Sequence, residues 1–201
     1  SGRYLSSFKL LKYYRDMAAF RGSIYLTSMG QGDGKLVDVL DEQGRLLTSF
    51  GERRFDDPQL NWCKIAVARE GEVYLGFEHM PWVRRYGAEG RVLNEFRFDH
   101  PMGNIQEDLN KKSTAKRGRG PSSAAVIISA IVAADDGVYI FHAYPRADIR
   151  FFDPTGKPKE AYWYEEPSTS FWDMAVSVSD KNKRFFLLDM RSGTIVVLGR
   201  H

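Results

Sequence analysis

An all-β fold built from small four-stranded antiparallel sheets is what this sequence predicts, on three observations. The phrase "GRYLSSF" at Gly2 to Phe8 returns as "GRLLTSF" at Gly44 to Phe50 and as "GRVLNEF" at Gly90 to Phe96. A second phrase, "GSIYL" at Gly22 to Leu26, returns as "GEVYL" at Gly71 to Leu75 and "DGVYI" at Asp136 to Ile140, with "KRFFLL" at Lys183 to Leu188 as a looser copy. The segments that carry these phrases are rich in Val, Ile, Tyr and Phe, and no 3.6-residue period competes with them.

Each element follows from its place in the repeat. A small or apolar run opens every unit, "DMAAF" at 16 to 20, "KIAVA" at 64 to 68, "SAIVAA" at 129 to 134 and "WDMAVSV" at 172 to 178; we name it strand a. The tyrosine phrase is strand b, and its consecutive apolar residues predict a strand covered on both faces. Strand c follows as "KLVDVL", "WVRRYG", "DIRFFD" and "TIVVLG". In the first three units it runs into a turn, "DEQGR", "GAEGR" or "DPTGK", whose Gly44, Gly90 or Gly156 supplies the positive φ of a tight hairpin. Strand d, the first phrase, closes the unit.

Four-stranded sheets repeating about every 45 residues predict the blades of a β-propeller. A two-sheet sandwich would not account for the repeated phrases. The blades fall near 16–50, 64–98, 129–165 and 172–201, with 2–8 outside them. Residues 2–8 read as a d strand with no a, b or c before it, and the last unit stops after c. Two readings follow: the N-terminal strand completes the last blade and closes a ring, or the chain is a fragment of a larger propeller. The pattern "GxVYL" followed by "DxxG[RK]xLxxF", over residues 2 to 166 and more loosely to 198, resembles the NHL-like and six-bladed propellers of bacteria. That resemblance implies six blades, of which four are visible.

The bulk composition narrows the function classes. No apolar run reaches the roughly 20 residues that cross a bilayer, and the first residues lack the uncharged core of a signal peptide, so a soluble protein is expected, exported only if its signal has been removed. The single cysteine, Cys63, excludes an intramolecular disulfide and a cysteine-rich metal site, and reads as a core residue. The formal charge of +3 is unevenly placed. Lys111, Lys112, Lys116, Arg117 and Arg119 lie in one stretch without acidic residues, and the rest of the chain holds 24 basic against 26 acidic side chains. Residues 103–123 are expected to form a flexible basic loop.

In an antiparallel meander the b-to-c and d-to-a connections emerge on one face, and here that face carries the irregular sequence. Binding residues usually reside on loops held by such a scaffold. Glu78, His79, Trp82, His142, Arg146 and Asp189 are the candidate ligand-binding residues. The leading expectation is a non-catalytic binding or scaffolding module that recognises a protein or small-molecule ligand there, with self-association through sheet edges as a further mode. The alternative is a metal-dependent hydrolase, lactonase or lyase. The resemblance implies calcium or another divalent ion for it, and Asp33, Asn61, Glu78 and Asp189 are residue types that suit calcium. A third reading is RNA binding by the basic stretch, with Trp62, Trp82 and Trp172 for base stacking; the near-neutral body argues against it.

Overall fold

The computed structural model describes residues 7–10, 12–30, 33–100, 103–115, 125–143, 147–164, 171–179 and 182–199. Within them the repeat resolves into blades. Blade 1 is β1 (Asp16–Phe20), β2 (Ser23–Thr27), β3 (Lys35–Asp41) and β4 (Leu46–Glu52). Blade 2 is β5 (Cys63–Val67), β6 (Val73–Phe77), β7 (Trp82–Tyr86) and β8 (Val92–Arg97). Blade 3 is β9 (Ala130–Ala134), β10 (Gly137–His142), β11 (Asp148–Phe152) and β12 (Pro158–Trp163). Blade 4 shows β13 (Phe171–Ser179), β14 (Asn182–Asp189) and β15 (Thr194–Gly199). Every sheet is an antiparallel meander in chain order. The first strand of each packs on that of the next, β1 on β5, β5 on β9 and β9 on β13, the arrangement of a β-propeller of four blades. Among the described residues there are four blades, where the resemblance implies six.

Both faces of the second strands of blades 2 and 3 are covered, as their sequence predicts, whereas β14 of blade 4 buries Phe185 and Leu187 and leaves Phe186 and Leu188 half-buried. β6 and β10 are buried at every residue. Their alternate side chains feed two different seams. Val73, Leu75 and Phe77 join Tyr25, Leu36 and Val39 between blades 1 and 2. Tyr74 joins Val138 and Ile140 between blades 2 and 3. Tyr139 and Phe141 join Phe185 and Leu187 between blades 3 and 4. Three continuous cores therefore hold the four sheets in series.

The repeated Gly and Phe of the first phrase turn out to be partners. Gly44, Gly90 and Gly156 have φ of +78°, +81° and +87°, and each lies under the ring of a phenylalanine from the preceding d position: Phe8 on Gly44, Phe50 on Gly90, Phe96 on Gly156. Any Cβ would strike that ring. The phrase is thus a blade-to-blade clasp, with its Phe pressed on the hairpin of the next sheet. Of residues 2–8, only Ser7 and Phe8 lie inside the described residues.

One expectation is corrected here. The segment read as a flexible basic loop contains α1 (Gly103–Ala115). Among its described side chains Glu107 and Asn110 are buried, while Ile105 and Leu109 face outward. The helix is anchored by polar groups, so it has no apolar stripe for a periodicity search to find. Arg97 pairs with Glu107 at 2.9 Å. Lys112 is exposed on this helix; Lys116, Arg117 and Arg119 lie outside the described residues.

Candidate functional site

The face where the d-to-a and b-to-c connections emerge carries two polar clusters and several exposed large apolar side chains. The first cluster sits over the seam of blades 1 and 2. Arg15, the residue before β1, donates to Glu78 from Nε at 2.9 Å and from Nη2 at 2.7 Å. Its guanidinium also lies 4.3 Å from the centre of the Trp62 ring, and Trp62 in turn lies 5.4 Å from the ring of His79. The Glu78 backbone ties the loops together: its N–H donates to Trp62 O at 2.7 Å, and its carbonyl accepts from Ile127 N at 2.7 Å and Ile128 N at 3.1 Å.

His79 is fixed as a neutral tautomer. Nδ1 lies 3.1 Å from Ala125 O, which can only accept, so Nδ1 carries the proton. Burial holds the imidazole below its ordinary 6.5, against the opposing pull of the Ala125 bond and Glu78. Its Nε2, like the Trp62 Nε1, has no hydrogen-bond partner among the described residues. The helix α1 clamps the cluster through Asn110, whose Nδ2 donates to His79 O at 2.7 Å and whose Oδ1 accepts from Ala125 N at 2.8 Å.

A depressed folded pKa fixes the sign of a pH effect. The unfolded His79 takes a proton near pH 6.5 while the folded one resists it, so its contribution to stability is present above that pH and is lost as pH falls below it. Urea unfolding at pH 5.5 and 7.5 is expected to show this loss in the wild type and a reduced loss in His79→Gln. Equal pH dependence in the two proteins would refute the assignment.

The second cluster lies over the seam of blades 2 and 3. His142 directs Nδ1 at Ile127 O, and its ring stands 4.0 Å from that of His100. His100 approaches Asp148 at 3.4 Å, and Arg150 holds the same carboxylate at 2.9 Å. Burial alone would raise Asp148, but the bonds from His100 and Arg150 outweigh it and hold the carboxyl below its ordinary range.

The structure therefore separates the residues the sequence groups together. Glu78 and His79 share the first cluster, and His142 belongs to the second. Trp82 lies beneath Arg54, 3.7 Å from ring centre to guanidinium. Asp189 shapes a turn, accepting from Arg191 N at 2.9 Å and from Ser192 Oγ at 2.8 Å. Arg146 lies outside the described residues. The residues suited to calcium also lie apart: Asn61 staples the 52–62 connection, donating to Phe55 O and Asp57 O, and Asp33 accepts from Lys35 N. Among the described residues, no three His, Cys, Asp or Glu side chains stand close enough to hold a metal ion. Cys63 is fully buried and its thiol is pushed up by that burial. No described helix is long and apolar enough to cross a membrane.

Sequence reasoning missed Arg15, His100 and Asp148. Arg15 and Glu78, like His100 and Asp148, lie on different blades or connections, so only the fold joins those pairs, while Arg150 pairs with Asp148 from the same strand. Trp163 at the end of β12, Trp172 at the start of β13 and Met190 just after β14 are 53%, 57% and 61% exposed. All three stand at the end of the blades where the irregular connections emerge, over blades 3 and 4.

The chain matches no family model and no curated protein sequence. Solved structures match its fold. The computationally designed Ika4 protein aligns over 98% of each chain at 15% identity with a TM-score of 0.53. The WD40 repeats of RRP9 align with 95% of this chain and 52% of their own at 8% identity, TM-score 0.56. A catalytically inactive virginiamycin B lyase of Staphylococcus aureus, solved with quinupristin, aligns with 92% of this chain and 54% of its own at 14% identity, TM-score 0.50. The chain thus spans about half the length of the last two. At these identities the likeness is one of fold.

Proposed function

We propose that this propeller is a protein-binding module whose recognition face lies over blades 3 and 4, around Trp163, Trp172 and Met190. The observation that carries this reading is the exposure, more than half for each, of two tryptophans and a methionine at the end of the blades where the irregular connections emerge. Tryptophan is the residue most enriched among binding hot spots, and methionine adapts to partner surfaces. The polar clusters on the same face support the same reading. Glu78 is taken by Arg15, and Asp148 by Arg150 and His100, so these carboxylates spend their charge in holding connections in place.

A photo-reactive residue introduced at position 172 or 190 in cells is expected to yield specific adducts that are lost when Trp163→Ala is added. The same probe at position 46, on the hairpin of blade 1 at the opposite end, serves as the reference. Adducts of equal yield and identity at position 46 would overturn the reading. So would a divalent-dependent hydrolase or lyase turnover that disappears in Glu78→Gln.

A further inference from the structure

Between the outer strands of blades 1 and 2, on other blades than the proposed recognition face, lies a cavity of about 540 Å³. Lys35, Phe50, Arg53, Arg84, Tyr86 and Val92 are among the residues that line it. Its volume is that of a small-molecule site, and apolar walls with a few placed polar groups are the usual make-up of one. The register makes Tyr86 an exception to the repeat. It pairs with Val92 as Leu40 pairs with Leu46 in blade 1 and Phe152 with Pro158 in blade 3, so blade 2 places a hydroxyl where the other two place hydrocarbon. The residue facing that hydroxyl is exceptional too. Gly51 follows Phe50 at the position that Arg97 takes after Phe96 and Trp163 after Tyr162. Its φ is +78° within a strand, and a Cβ there would come within 3.0 Å of the Tyr86 oxygen. Glycine thus keeps a side chain from closing over the hydroxyl of a residue that is itself 1% exposed.

Hydrogen-bond donors are left over at the same place. Arg84 spends Nε on Glu95 at 2.5 Å, and Nη1 on Glu52 O at 2.8 Å and the Tyr86 hydroxyl at 3.3 Å. Its Nη2 has no partner among the described residues, and Tyr86, having accepted from Arg84, keeps its own proton to give. Both oxygens of Glu95 are occupied, one by Arg84 and one by Arg54. Lys35 pairs with Glu52 at 3.2 Å, but the Glu52 side chain is 82% exposed, so water competes for that pair. The cavity and its wall therefore hold four cations, Lys35, Arg53, Arg54 and Arg84, against the carboxylates of Glu52 and Glu95.

We propose that this cavity binds a small organic anion with a carboxylate or phosphate head and an apolar body. Arg84 Nη2, the Tyr86 hydroxyl and the Lys35 ammonium hold the head, which takes the place of the exposed Glu52 carboxylate on Lys35. Phe50 and Val92, 8% and 51% exposed, receive the body. An oxyanion draws charge-assisted bonds from the guanidinium and the ammonium, stronger than those a neutral polar molecule would make. The Glu95 carboxylate, tied to two arginines, holds Arg84 in one orientation before any ligand arrives, so little order is lost on binding.

Benzoate and phenyl phosphate, with benzyl alcohol as their uncharged counterpart, are the probes, titrated by calorimetry into the wild type, Tyr86→Phe and Lys35→Gln. Phenylalanine is what blade 3 carries at the place of Tyr86, so the first substitution removes the hydroxyl and keeps the ring. Lys35 is partly exposed, and its substitution tests the head-group contact without touching the seam. At least one of the anions is expected to bind at millimolar concentration or below, and benzyl alcohol is not. Each substitution is expected to weaken that anion about tenfold, the worth of one hydrogen bond to a charged group. The tighter of the two anions identifies the head. Failure of both anions to bind, equal binding of benzyl alcohol, or an affinity unchanged in either variant would overturn the proposal.

Discussion

Replacing Glu78 by alanine is expected to destabilise the fold by about 3 to 5 kcal/mol, the range for breaking one side of a buried ion pair. The Glu78 side chain is 2% exposed and that of Arg15 22%. Removal leaves a guanidinium that has given up most of its water and keeps the face of Trp62 and the Tyr13 side chain but no carboxylate. The loss is the penalty of an orphaned charge more than the net worth of the pair, and this has a checkable corollary. Arg15→Met together with Glu78→Leu is expected to recover a large part of the loss, because two apolar groups leave nothing unsatisfied. At this chain length, a loss of that size corresponds to a fall in Tm of roughly 10 °C. Thermal unfolding of the single and double variants measures both. A Glu78→Ala protein within about 1 kcal/mol of wild type would show that the pair is spectator to the fold.

The second large effect is expected at Gly137. It opens β10 with φ +156°, and a Cβ there would run into the carbonyl oxygen of Phe152 on the neighbouring strand, with the Phe151 ring close behind. A flexible side chain in the way could swing aside, but a backbone carbonyl within a sheet cannot. Gly137→Ala is therefore expected to cost about 3 kcal/mol or more, from backbone strain of about 1 to 3 kcal/mol and overpacking of similar size. Gly193→Ala is the matched control, since its φ of +68° carries the strain while its surroundings are open. If the two substitutions prove equally mild, close approach of β10 and β11 is not what reserves position 137 for glycine.

Gly137 also illustrates how far a sequence can be read. The repeat sets its "DGVYI" beside "GSIYL" and "GEVYL", which is enough to place a turn and a strand. In the repeat Gly137 stands where the other units have Ser23 and Glu72, and nothing in the phrase shows that the carbonyl of Phe152 closes that position to a side chain. The same holds for the phrase that ends in phenylalanine. Its recurrence marks the d strand, but that Phe50 serves Gly90, in the next blade, becomes visible only once the two sheets are stacked.

The candidate site was legible in part for the same reason. Glu78 and His79 stand out because they follow a strand at a position where irregular connections begin. Their partners are invisible locally: Arg15 lies 63 residues from Glu78 in the chain, and Asn110 sits on a helix that lysine, serine and threonine disguise as a loop. Buried ion pairs obey no period, so no count of residues predicts them.

What the sequence determined by itself was therefore everything that repeats: the all-β class, the four units, the order of strands within each, and the glycines of the hairpins. Alternation and turn chemistry act over a few residues, and a repeat states them several times over. The tertiary structure alone decided which charges neutralise one another, which histidine faces which carbonyl, and which apolar faces stay uncovered. Those are properties of the space between sheets, where side chains distant in the chain must share the same low-dielectric volume, and only the packing of one blade on the next brings them there.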